Sequence, residues 1–232
     1  MMKIVLLEDL AIPSSELENY VQKLENLGHT FVVYPKTSHL KTLKKEVSDA
    51  DVVMLAKMPL PLEILEAAPN VQFIDVAFTG VDHIPVAAAK EKGITISHAS
   101  GYATASVAEL ILSETIFALR KLAALQAWGK EGLSKEGIRG QLWQGITIGI
   151  VGAGAIGREV ARLCKAFGCK VLGYNRSDIT DPNFDGQLLL EDLLAQSEVV
   201  TLHVPYTPET QGLIGKEQFK IMKPSAILVS TA

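Results

Sequence analysis

The stretch "GITIGIVGAGAIGREVARLCKAFGCKVLGYN", Gly145 to Asn175, constrains this chain more than any other. Ile146 to Val151 is an apolar run, broken only by Thr147, and reads as a buried strand. Gly152, Gly154 and Gly157 follow as G-x-G-x-x-G, and "REVARLCKAFG" continues with helical character. "KVLGYN" then reads as a second strand. Each glycine has a task in such a turn. Gly152 allows a tight reversal, Gly154 lets the backbone approach a pyrophosphate, and Gly157 lets the helix pack close to the strand. Ala155 and Ile156 lie on the same loop, and the helix N-terminus offers unpaired N–H groups and a positive dipole end to an anion. The motif alone is weak, but its place between strand, helix and strand is the context a dinucleotide turn requires.

The end of the second strand bears on which dinucleotide fits. An NAD site usually carries Asp or Glu about twenty residues after the glycines, bonded to the ribose 2′-OH. Here Asn175, Arg176 and Ser177 stand at that point. Asn can bond a hydroxyl without repelling a 2′-phosphate, Arg176 can pair with that phosphate, and Ser177 can donate to it. The residues therefore suit NAD(P) and tilt the choice toward NADP. Arg176 as a surface residue stacked on adenine, compatible with either cofactor, stays open.

The same strand–helix alternation occupies the first hundred residues. "KIVLL", "TFVVY", "DVVMLA", "VQFIDVA" and "ITISHA" read as strands. Between them lie an amphipathic helix "SSELENYVQKLENLG", capped by Ser14 or Ser15 and closed by Gly28, then a short Lys-rich helix, "PLEILEAA" and "PVAAAKEKG". This pattern predicts a parallel sheet with helices on both faces. At Gly101 the pattern changes. "YATASVAELILSETIFALRKLAALQAW" reads as one helix of more than twenty residues joining or bracing two domains, and "GKEGLSKEGIRGQLW" as a surface loop. The expectation is an α/β chain of two doubly wound parallel-sheet domains, at residues 1–100 and 101–232.

Bulk properties narrow the partners. At 232 residues the chain is long enough for two domains, and 48% hydrophobic with 21% charged residues is a globular balance. Lys and Arg number 22 against 26 Asp and Glu, a net charge of −4, which argues against a nucleic-acid surface. No apolar run reaches the roughly 18 residues of a membrane helix. Cys164 and Cys169 are not spaced as C-x-x-C and have no Cys or His at ligand spacing, so reduced, buried thiols in a cytoplasmic protein are expected, and no metal.

Four segments together resemble the D-isomer-specific 2-hydroxyacid dehydrogenase family. "FTGVDHI" resembles its substrate loop, and "GYATASVAEL" the entry to its interdomain helix. The Gly-rich stretch through Asn175 and Arg176 resembles its nucleotide fingerprint, and "SEVVTLHVPYTPETQGLIGKEQFKIMKPSAILVSTA" its most recognisable block. The resemblance implies a flavodoxin-like substrate domain, an incomplete Rossmann cofactor domain and an active site in the cleft between them. It implies a homodimer through the cofactor domain, and hydride transfer between NAD(P)H and a small 2-oxo acid, giving a D-2-hydroxy acid. By the same resemblance Gly80 and Val81 hold the substrate carboxylate with their backbone N–H groups, as paired donors suit. Lys57 approaches the substrate or is a solvated surface residue. Thr104, Thr231 and Ala232 lie at the cofactor. His203, Val204 and Pro205 form a wall beside it, and Thr210 caps that region. His203, His83 and His98 read as structural rather than catalytic.

"AILVSTA", Ala226 to Ala232, ends the sequence as a strand with no closing turn. In the family an arginine that clamps the substrate follows this block, and a glutamate and a histidine come later. The resemblance implies that none of the three lies within residues 1–232, so no catalytic residue is assigned. The expectation is the first two-thirds of a dehydrogenase, inactive, poorly stable and open to edge pairing as given. The alternative is a non-catalytic nucleotide-binding or oligomerising remnant.

Overall fold

Short runs of Val, Ile and Leu form two parallel sheets in the computed structural model, which describes residues 1–134 and 136–231. The chain divides into two compact units, Met1–Tyr102 and Ala103–Ala232. Lys135, in the loop expected near Gly132, and Ala232 lie outside the described residues.

The first unit runs β1 (Lys3–Leu6), α1 (Ser14–Asn26), β2 (Thr30–Val33), α2 (Leu40–Val47), β3 (Val52–Leu55), α3 (Leu62–Glu66), β4 (Phe73–Val76), α4 (Val86–Glu91) and β5 (Thr95–His98). Its strand order is β2-β1-β3-β4-β5, the flavodoxin-like order. Burial follows the two-residue period of a strand. Val53, Leu55, Ile74 and Val76 are buried with Leu43, Val47, Ile64 and Leu65 from α2 and α3. The register sets Ile74 opposite both Val53 and Ile96. On the opposite face Leu17, Tyr20 and Leu24 of α1 border a cavity of about 420 Å³ with Ile4, Phe31 and Val52.

The second unit runs α5 (Thr104–Leu119), α6 (Leu122–Lys130), β6 (Thr147–Val151), α7 (Ala155–Ala166), β7 (Lys170–Tyr174), β8 (Gly186–Gln187), α8 (Leu190–Gln196), β9 (Val199–Leu202), α9 (Lys216–Ile221) and β10 (Ile227–Ser230). The order β10-β9-β6-β7-β8, counted within the unit, is 3-2-1-4-5 read from β8, the Rossmann arrangement with "AILVS" as its fifth strand. Both faces are covered, so the central strands are largely apolar, with Thr201 of β9 the buried exception. Ile148 and Ile150 face Val160, Ala161 and Cys164 of α7 and Ile111 of α5. Val151 and Val200 face Leu190, Leu193 and Leu194 of α8. Cys164 and Cys169 are free and buried, and burial drives the Cys164 thiol well above its usual range and that of Cys169 up to about 11.

Two local expectations are corrected. The first helix is not capped by Ser14 or Ser15. Pro13 is its N-cap, and the Pro13 carbonyl accepts the N–H groups of Glu16 and Leu17 at 2.9 and 3.2 Å. The long helix from residue 103 to 128 is two helices, broken at Arg120 and Lys121, where Lys121 takes a left-handed φ of 51°. The cause is tertiary. The Leu119 carbonyl accepts the N–H of Gln141 at 2.9 Å, and Gly140 sits so close that a Cβ there would lie 2.9 Å from the Arg120 Cα. Among the described residues no helix is long and apolar enough to cross a membrane, and no group of His, Cys, Asp and Glu could hold a metal ion.

Candidate functional site

The Gly-rich turn lies between β6 and α7, at the carboxyl end of the central strand, where open α/β sheets bind ligands. Gly152 has φ +99°, and a Cβ there would lie 2.8 Å from the His203 carbonyl oxygen. A Cβ on Gly157 would lie 2.0 Å from the Gly152 carbonyl oxygen, so only glycine lets α7 sit this close to the turn. Gly154 differs. A Cβ there would meet nothing within 4 Å, leaving open space in front of the backbone. Gly154 is the N-cap of α7 and supplies no side-chain cap, so the helix N-terminus faces that space with its first-turn donors free of a side-chain partner.

A cavity of about 310 Å³ adjoins this turn. Gly152 and Gly154 line it together with Asn175 and Arg176 after β7 and His203, Val204, Pro205 and Thr210 after β9. The structure thus gathers eight of the residues named from sequence around one space. Tyr174, Thr207, Glu209 and Leu213 line it as well and carried no signal in the sequence. Ala155, Ile156 and Gly157 open α7 behind the lining. Thr104 begins α5 and Thr231 follows β10; neither lines the cavity, nor does Ser177.

Hydrogen bonds fix the walls. The Asn175 Oδ1 accepts the Ala153 N–H at 3.4 Å, and its Nδ2 donates to the carbonyl and hydroxyl oxygens of Ser177 at 3.1 and 2.9 Å. Asn175 therefore braces the glycine turn, and Ser177 braces Asn175. His203 Nε2 lies 3.0 Å from the Thr201 hydroxyl. Burial lowers the His203 pKa to about 4, so the ring is neutral at pH 7. Thr210 folds its own loop: its hydroxyl donates to the Pro205 carbonyl at 2.5 Å and accepts the Thr207 N–H at 2.8 Å. The Glu209 carboxyl is held below its usual range by a hydrogen bond from Thr207 and, more weakly, by the charge of Arg176.

In the first unit, residues 78–84 form the loop after β4. Among the described residues the N–H groups of Gly80 and Val81 find no acceptor, while the loop is tied down around them. The Ile84 N–H donates to Val81, the Ala99 N–H to Phe78, and His98 Nδ1 lies 2.8 Å from the Thr79 carbonyl oxygen. The Lys57 ammonium lies 4.9 Å from the centre of the Phe78 ring. His83 Nε2 is buried without a partner among the described residues.

Comparison with known proteins gives this geometry a family. The model of the D-isomer specific 2-hydroxyacid dehydrogenase NAD binding domain matches residues 112–232. A glycerate dehydrogenase of Methylorubrum extorquens is 37% identical over 218 residues, 89% of this chain and 67% of that protein. An acyclic imino acid reductase solved with NADPH and D-Arg superposes with a TM-score of 0.90 at 25% identity, covering 99% of this chain and 74% of that one. A D-lactate dehydrogenase from Aquifex aeolicus, solved with NAD and lactic acid, superposes at 0.87 with 28% identity, covering 99% and 68%. With its glycine turn, cavity and two sheets of matching topology, the chain belongs to the D-isomer specific 2-hydroxyacid dehydrogenases, oxidoreductases that act on 2-hydroxy acids with a nicotinamide cofactor.

Proposed function

We propose that residues 1–102 bind a small 2-oxo or D-2-hydroxy acid and residues 103–232 bind NAD(P), as parts of a reversible D-2-hydroxyacid dehydrogenase. The observation that carries the cofactor half is the open space at Gly154 in front of an uncapped helix N-terminus. That is where a pyrophosphate gains N–H donors and the helix dipole. Gly152, Gly154, Ala155, Ile156 and Gly157 hold the pyrophosphate. Val204, Pro205 and the loop closed by Thr210 wall the dinucleotide, with Thr104, Thr231 and Ala232 assigned to the same site by family resemblance. When bound, the nicotinamide supplies or accepts the hydride.

Arg176 reads the adenine ribose. No carboxylate stands at Asn175 to reject a 2′-phosphate, so we assign a small preference for NADP. Glu209 lines the same cavity and keeps it small, because its charge opposes the phosphate that Arg176 attracts. The substrate half rests on the N–H groups of Gly80 and Val81, which find no acceptor among the described residues and suit one carboxylate. Lys57, held near Phe78, adds positive charge beside them. We assign no general acid within residues 1–232: His203 is neutral, half-buried in the cavity wall and committed to Thr201.

We further assign a homodimer through α5 and α6. Ala108, Ile111, Thr115 and Leu119 of α5 are buried, while Leu110 and Phe117 are 47% and 42% exposed, and α6 buries none of its residues. The test of the cofactor assignment is titration of the protein with NADPH and NADH. Arg176→Ala weakens NADPH by about tenfold and NADH by less than twofold, as expected for loss of one charge-assisted contact. Equal losses for the two cofactors would show that Arg176 reads no 2′-phosphate.

A further inference from the structure

Glu8 stands at the carboxyl end of β1, between the loops that follow β2 and β3, which is the switch point of the first sheet. It is only 4% exposed. Its Oε1 accepts three consecutive backbone N–H groups, those of Ala56, Lys57 and Met58, at 2.8, 2.7 and 2.6 Å. Its Oε2 accepts the Lys36 ammonium at 3.0 Å. Three successive N–H groups converging on one oxygen form an anion nest, here filled by the protein's own carboxylate. Burial alone would raise the Glu8 carboxyl; the N–H groups of Met58 and Ala56 and the Lys36 charge outweigh it and hold the group ionised. An apolar residue in its place would leave three backbone N–H groups without this acceptor, so the carboxylate itself, not its bulk, pins the turn.

The pinned turn leads to the substrate loop by two routes. Lys57 is its middle residue, and the Lys57 ammonium lies 4.9 Å from the centre of the Phe78 ring, two residues before Gly80. Leu60, just beyond the turn, donates its N–H to the His83 carbonyl at 3.0 Å, tying the far end of the 78–84 loop to the same segment. We propose that Glu8 is a positioning residue for the substrate: by fixing residues 56–58 it sets the Lys57 ammonium and, through Phe78 and His83, the free N–H pair of Gly80 and Val81. Glu8 itself touches no substrate. The proposal rests on the assignment of Gly80 and Val81 as the carboxylate site.

The test uses oxamate, an unreactive 2-oxo acid mimic, titrated into the full chain with saturating NADH and followed by backbone amide NMR. In the wild type, oxamate moves the amides of Gly80 and Val81. Glu8→Ala weakens oxamate about tenfold, the effect of losing a hydrogen-bonded charge, and leaves NADH affinity within twofold. Glu8→Gln keeps an acceptor oxygen for the three N–H groups and restores most of the oxamate affinity, which general loss of stability would not do. If Glu8→Ala fails to fold, Glu8→Asp, one methylene short of the nest, carries the same expectation. Unchanged oxamate affinity in folded Glu8→Ala or Glu8→Asp would overturn the positioning role. Wild-type shifts that miss Gly80 and Val81, or no shifts at all, would instead overturn the carboxylate site, and the proposal with it.

Discussion

At Gly157 one missing carbon decides whether strand, turn and helix can meet. A Cβ there would sit 2.0 Å from the Gly152 carbonyl oxygen, a backbone atom of the turn that leaves β6. Gly157→Ala is expected to cost about 3 kcal/mol, the upper end of ordinary overpacking, and to abolish measurable NADPH binding. Urea unfolding and a cofactor titration on the same sample check both effects. His203 gives a residue-scale pH prediction. Its folded pKa of about 4 lies below the unfolded value of about 6.5. Between these values the unfolded chain binds a proton that the folded chain does not, so stability falls as pH drops through this window. The full loss is about 3 kcal/mol at 1.36 kcal/mol per unit. Both tryptophans, Trp128 and Trp143, belong to the second unit, so their fluorescence follows its unfolding. His203→Asn should remove most of the difference between pH 7 and pH 4.5; an equal difference in the variant would show that His203 is not its source. Glu209 is the counterpart of Arg176. Glu209→Gln is expected to tighten NADPH about threefold and leave NADH unchanged, since it removes one exposed charge near the 2′-position. A matching gain for NADH would mean that Glu209 acts on the shared part of the dinucleotide.

Element by element, what could be seen in the sequence is what local chemistry determines. Strand runs such as Ile148–Val151 and Val199–Leu202 announce themselves because buried parallel strands must be apolar on both faces. Gly28 closes α1 at φ +85°, as a glycine after a helix usually does. The break at Lys121 left no such mark. It is imposed by Gln141 and Gly140, twenty residues away, which take the Leu119 carbonyl and the space beside Arg120. Pro13 as cap leaves no side-chain signature for a related reason: its carbonyl accepts the first helical N–H groups. The left-handed residue gives an element-scale prediction. Lys121→Gly should raise stability by about 1 kcal/mol, the cost a side chain bears in that conformation. A loss in thermal or urea midpoint would show that the Lys121 side chain holds the α5–α6 corner. The site divides in the same way. The glycines, Asn175 and Arg176 lie within one strand–helix–strand unit, where spacing is informative. Glu209 and Leu213 reach the cavity through a loop folded by Thr207 and Thr210, and Glu8 reaches Met58 across 50 positions of sequence. Only the folded chain brings such groups together.

For the whole molecule, the two sheets carry the same logic with different tasks. Each is parallel, and each leaves its loops at the carboxyl ends of the strands to meet ligands. In the first, the N–H groups of Gly80 and Val81 find no acceptor among the described residues, and in the second Gly154 opens α7 without a side-chain cap; these are the places proposed for a carboxylate and a pyrophosphate. The exposed Leu110 and Phe117 on α5 lead to a prediction at this scale: sedimentation at micromolar protein shows a dimer, and Phe117→Glu gives a monomer of unchanged fold. A monomeric wild type would contradict the assigned interface. The dinucleotide site proposed for this chain spans the turn from Gly152 to Gly157. The most direct measurement is backbone amide NMR of the chain titrated with NADPH. Shifts are expected at Gly152, Gly154, Ala155, Ile156 and Gly157, at Asn175 and Arg176, and along His203 to Thr210, with residues 1–102 left unmoved by the cofactor alone. Saturable binding whose shifts bypass the glycine turn, or no binding at millimolar NADPH and NADH, would contradict it.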